Sequence, residues 1–197
     1  VYDDLALGFG TYDDYVIPGW NASGGLPYKM AHQISTDGDS ILEEARLHNM
    51  VYGGDAAGSA FEALYQASTG AGFDHNCNSS FDSSHDIKPF HAEATDAFGG
   101  ECSPSYDVDV EGTGKRKGVG FRPGSLPVFM LAADNQMRDA DMGDDMPEGT
   151  CGVAASRADA VSAVRSLGAK VLGINVYEYW SSDSTLLGQL TELAEST

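Results

Sequence analysis

The chain of 197 residues carries 30 acidic against 11 basic side chains, a formal charge of −19, and a surface this acidic repels phosphate and excludes nucleic acid as a partner. With 42% hydrophobic and 10% aromatic residues it can bury a core, which excludes wholesale disorder. No apolar run approaches the roughly 20 residues that cross a bilayer, and the leading Val-Tyr-Asp-Asp has neither the basic nor the apolar region of a signal peptide.

The length suits one domain, residues 1–197, with a large insertion. Leu5 to Tyr12 alternates like a strand with small residues at close approaches, and Asp13 and Asp14 follow its end. A Pro/Gly/Asn turn region runs from Pro18 to Pro27. Ser40 to Met50 has helical spacing, with Ile41, Leu42, Ala45 and Leu47 apolar, and Gly53-Gly54-Asp55 breaks it. Phe61, Leu64, Tyr65 and Ser68 predict a second helix over 57–69, with Asp55 placed to cap or precede it. Residues 70–120 show no sustained period and are rich in Asp, Ser, Gly, Asn and His. They read as a loop-rich insertion, locally folded at best.

Periodicity returns at Leu126–Ala133, a continuous apolar run of the kind that forms a buried parallel strand, ending at Asp134. Asp139 to Thr150 is an acidic loop. Arg157 to Leu167 reads as an amphipathic helix stopped by Gly168, Ala169 to Val176 as the next strand, and Ser184 to Glu195 as a last helix. The alternation of helix and strand predicts an α/β fold, a doubly wound and mainly parallel sheet with helices on both faces.

Ligands of such sheets bind at the carboxyl ends of the strands. Asp14 and Asp134 each follow a strand there, and Asp55 lies in the loop before a helix. Separated carboxylates converging on one sheet edge suit a hard divalent cation, Mg2+ or Ca2+. Asp134 is the strongest candidate, because an acid straight after a mostly apolar run must be solvated, paired or ligating. The three cysteines lack zinc spacing. Cys77 and Cys102 bracket the insertion, where a disulfide would restrain it, leaving Cys151 over, and three reduced cysteines are the alternative. No Gly-x-Ser-x-Gly elbow and no dinucleotide fingerprint are present.

Taken in order, several segments resemble a von Willebrand factor A-type domain of the integrin-β-like variety. Leu7-Gly-Phe-Gly-Thr-Tyr-Asp-Asp14 is similar to the second strand and its loop, and Gly54 to Gln66 to the Asp-x-Pro-Glu segment and the helix behind it. Leu131-Ala-Ala-Asp134 is similar to the Thr-Asp strand end, and Ala163 to Val176 to the Leu-Gly-Ala-x-Val-x-Gly-Ile strand. The resemblance covers about three quarters of the chain and omits the insertion. It implies a metal-ion-dependent adhesion site at which a divalent cation takes an acidic side chain from a partner protein. Asp134 would be a ligand, Asp14 and Asp55 a second cation site, and Asp13, Ser59 and Asn135 part of the ligand face.

This sequence departs from the pattern at three places. No Asp-x-Ser-x-Ser loop appears, Ala57-Gly58 stands where the family has Pro-Glu, and Ala133 where it has Thr. The family's first strand is therefore expected from the same longer polypeptide or from a second chain. The expectation is an extracellular, non-enzymatic recognition domain of a bacterial surface or secreted protein. A metal-free structural packing module and a metal-assisted hydrolase using Asp134 and a bound water are the alternatives.

Overall fold

The computed structural model describes residues 4–15, 25–48, 57–89, 118–144, 146, 154–176 and 184–197. Four helices and two small sheets make a mixed α/β arrangement among these residues. The elements in chain order are strands β1 (Leu7–Thr11) and β2 (Lys29–Ser35), helices α1 (Gly38–Leu47) and α2 (Ala60–Thr69), and strand β3 (Val128–Ala133). A 3-10 turn at Ala140–Met142, helix α3 (Arg157–Ser166), strand β4 (Lys170–Asn175) and helix α4 (Ser184–Glu195) follow.

Among the described residues the strands form two separate two-stranded ladders. β1 pairs antiparallel with β2, from Leu7 opposite Ser35 to Thr11 opposite Lys29, with two irregularities in register. β3 pairs parallel with β4, Val128 opposite Lys170 through Ala133 opposite Asn175. The two ladders do not pair with each other among the described residues. β2 is an element the sequence pattern did not predict. Its Lys-Met-Ala-His-Gln-Ile-Ser has no clean alternation, and Ile34 is its one buried side chain.

Both ladders nonetheless pack on one core. Ile34 of β2, Leu131 and Ala133 of β3 and Val171 of β4 meet Phe61 and Leu64 of α2, Val164 of α3 and Leu186, Leu190 and Leu193 of α4. α2 runs through the middle of this core, with eight of its ten residues buried. A smaller cluster of Tyr15, Tyr28, Ala63, Ala67, Phe73 and Ile87 continues it.

Local chemistry fixes the helix ends. Ser156 caps α3 through a reciprocal box, its Oγ accepting from the Asp159 amide while the Asp159 carboxylate accepts from the Ser156 amide. Asp37 accepts from the Ser40 amide to start α1. Gly168, expected to stop α3, has φ +65 just beyond it, the left-handed form that ends helices.

Of the insertion, residues 70–89 and 118–120 are described, and the first of these segments is locally folded. Phe73 and Ile87 exchange backbone hydrogen bonds that close the loop, at 2.8 and 2.9 Å. Inside it the Asp74 carboxylate accepts from the amides of Cys77 and Ser79, and the Asp86 carboxylate from those of His75 and Asp82. Cys77 is disulfide-bonded. Both other cysteines, Cys102 and Cys151, lie outside the described residues, as does Asp55.

β3 departs from its expected burial. Leu131 and Ala133 are buried, but Val128, Met130 and Ala132 on the opposite face are exposed, as are Leu172 and Ile174 of β4. The continuous apolar run belongs to a strand with one covered face.

Candidate functional site

Three loops meet beyond the carboxyl end of β3. The first is Tyr12 to Tyr15, following β1. The second is Ala57 to Ser59, leading into α2, and the third is Asp134 to Asp139, following β3. Gly58 bridges in parallel to Met137, its amide donating to the Gln136 carbonyl at 3.0 Å and its carbonyl accepting from the Arg138 amide at 2.8 Å. The Ser59 amide donates to the Asp13 carbonyl, and Ser59 Oγ lies 3.0 Å from the carbonyls of both Asp13 and Pro27. The side-chain amide of Gln189 on α4 grips Met137 from the other side, accepting from its amide and donating to its carbonyl. These bonds fix the loops relative to one another.

Asp13 and Asp134 act on each other from the two strand ends. Burial first and the Asp134 charge second push the Asp13 carboxyl above its ordinary value. The same two causes raise the Tyr12 hydroxyl. Asp13 Oδ2 is buried without a hydrogen-bond partner among the described residues. Gly25 backs directly onto it, and a methyl group there would lie 2.5 Å from Oδ2, so a side chain at that position would push the Asp13 carboxylate aside. Asp134 is exposed, as is Asn135, whose side-chain oxygen accepts from the Gln136 amide.

Asp14, expected to hold a second cation, has another partner. Its carboxylate takes the Arg138 guanidinium in two bonds, Nε to Oδ1 at 3.1 Å and one terminal nitrogen to Oδ2 at 2.8 Å, both side chains being almost fully buried. This geometry is bidentate and charge-assisted, and it leaves Asp14 turned to a cation of the protein itself. Among the described residues no group of three or more His, Cys, Asp or Glu side chains is arranged to hold a metal ion.

A second buried carboxylate lies behind the site. Glu62 of α2 accepts from Tyr15 Oη at 3.0 Å, from Gln66 Nε2 at 2.7 Å and from the Ala155 amide at 2.6 Å. Burial raises its pKa, and those hydrogen bonds partly oppose the rise. Asp139, also buried, meets Arg157, which in turn reaches Glu192. Sequence reasoning missed Arg138 and Glu62. The available signal for Arg138 was a lone base, in a chain with few, standing among acids just after the apolar strand.

A shallow cleft of about 390 Å3 lies elsewhere, between β4 and α4, lined by Gly173, Leu187, Leu190 and Ala194, and is largely apolar. The comparisons with known proteins returned nothing: no family model matches the chain, and neither does any curated protein or solved structure.

Proposed function

We propose that the chain is an extracellular protein-recognition domain of the integrin-β-like A-type kind, its strands belonging to a doubly wound sheet, that binds its partner at the carboxyl-end face of β3. A divalent cation between Asp134 and Asp13 carries the contact, and an acidic side chain of the partner completes its coordination. The observation that supports this reading is the Asp13–Asp134 pair. Burial and the Asp134 charge raise the Asp13 carboxyl at a strand end, and one Asp13 oxygen is buried without a hydrogen-bond partner among the described residues. A hard cation with oxygen ligands suits that arrangement, and Mg2+ or Ca2+ would keep positions open for water or a partner carboxylate. With Asp14 engaged by Arg138, a second cation would depend on Asp55.

Thermal unfolding in EDTA and then in excess Mg2+, Ca2+ or Mn2+ tests the reading. An ion at 100 times its dissociation constant stabilises by about 2.7 kcal/mol, a shift of roughly 5–10 °C for a domain of this size. The shift should vanish in Asp134→Asn and in Asp13→Asn. No shift with any of the three ions, or one that survives both substitutions, overturns the cation at this face.

A further inference from the structure

The sequence holds the triplet Asn-x-Ser, with x other than proline, at Asn21-Ala22-Ser23 and at Asn78-Ser79-Ser80. In a surface loop of an exported protein this triplet accepts an N-linked glycan. Asn21 lies outside the described residues. Asn78 stands near the middle of the loop that Phe73 and Ile87 close, and Asn78, Ser79 and Ser80 are all exposed.

Local geometry sets Asn78 apart from the other exposed asparagines. Its Oδ1 accepts from the Ser80 amide at 2.7 Å, an Asx turn that folds the third residue of the triplet back toward the acceptor side chain. Ser79 between them has φ +61. With Oδ1 engaged, Nδ2 is the free end of the amide. Among the described residues neither Asn78 Nδ2 nor Ser80 Oγ has a hydrogen-bond partner. Asn76 differs on both counts, because its Nδ2 lies 3.1 Å from His85 Nε2 and Asn78, not a hydroxyl residue, stands two positions on. Asn135 has Met137 at that position.

The frame of the loop does not depend on Asn78 Nδ2. The Asp74 and Asp86 carboxylates hold its main-chain amides from within, so a substituent on Asn78 projects into solvent without displacing a packed group. The neighbouring Cys77 is disulfide-bonded, and such bonds persist in the oxidising compartments and cell exterior that exported chains reach.

We propose that Asn78 is a site of N-linked glycosylation. The donor is an oligosaccharide carried on a lipid diphosphate. Asn78 Nδ2 attacks the anomeric carbon and forms a C–N bond, and the bond from that carbon to the diphosphate oxygen breaks. The lipid diphosphate leaves with the bonding pair, and a base of the transferase takes the Nδ2 proton. The turn that presents the amide spans two residues, so it needs none of the core to form. The site rests on the extracellular part of the reading above and is independent of a cation at Asp13 and Asp134.

The test is cell-free translation of the whole chain behind a secretory leader, with microsomes that carry the transferase, in an Asn21→Gln background. Protease protection identifies the chains that have crossed the membrane, and transfer is scored on those alone. A slower-migrating band is expected among them, collapsing when a peptide-N-glycosidase removes the glycan. That enzyme leaves aspartate where the modified asparagine stood, and peptide mass spectrometry should find the conversion at position 78. Asn78→Gln and Ser80→Ala should each abolish the slow band, while Ser80→Thr, which keeps a hydroxyl, should retain it. Protected chains without the slow band, or a band that survives Ser80→Ala, would overturn the proposal. The leader supplies the targeting, so a negative result counts against the site and not against the extracellular reading. The ion-dependent thermal shift plays no part in this readout.

Discussion

Asp14 and Arg138 are the pair on which the fixed geometry of the candidate site most depends, since each is a charge taken out of water. Removing one partner of a buried ion pair leaves the other uncompensated, which costs about 3–5 kcal/mol. Arg138→Met should lower stability by that order in urea unfolding, and adding Asp14→Leu should recover most of the loss, because well-packed apolar replacements avoid the stranded charge. Glu62 gives a pH signature. Its folded pKa is raised above the ordinary 4.5, so the folded chain binds more protons than the unfolded one across that interval. Its stabilisation is therefore fullest on the acid side and declines as pH rises from 4.5 through the raised value. Asp13 acts with the same sign. Glu62→Gln should flatten this decline, read as urea midpoints measured from pH 4.5 to neutrality. The acids after the two strands were legible in the sequence because a carboxylate beside an apolar run is conspicuous. Arg138 was not, because five residues past a strand and among acids a base reads as solvated. Its burial comes from the Gly58–Met137 bridge, which joins segments 79 positions apart.

The helices were the legible elements: α3, stopped at Gly168 as its sequence predicts, and α4, which spans Ser184–Glu195 as expected. α2 shows why burial within an element can be invisible. With nearly every side chain covered, its periodicity does not separate an inner face from an outer one, and Glu62 reads as an ordinary surface acid. β3 shows the reverse, an unbroken apolar run that is covered on one side. The packing of α2 rests on close contact with the segment before β3. Gly118 has φ +69, and a methyl group on it would lie 2.0 Å from the Ala67 carbonyl oxygen, while the next amide, Val119, donates to that same oxygen. Gly118→Ala should therefore destabilise by more than about 1 kcal/mol, whereas Gly124→Ala, at a similar φ in open space, should cost only its backbone strain. Comparing the two unfolding midpoints separates contact from conformation.

At the scale of the molecule, the α/β class was readable because helices and strands alternate along the chain. The division into two ladders was not, because pairing between distant strands leaves no mark in local spacing. β2 illustrates this, held as a strand by β1 and the core beneath Ile34 and not by its own pattern. The acid excess and the open strand edge also bear on each other. An exposed apolar edge invites copies of a protein to stack, and like charge on every copy keeps them apart. That mutual repulsion reaches only about 8 Å at physiological ionic strength and about 3 Å in molar salt. Concentrated salt, which leaves most folds intact, would strip this chain of its colloidal protection and let β3 find its neighbours. Dilute buffer is thus the condition in which the isolated chain keeps its own company.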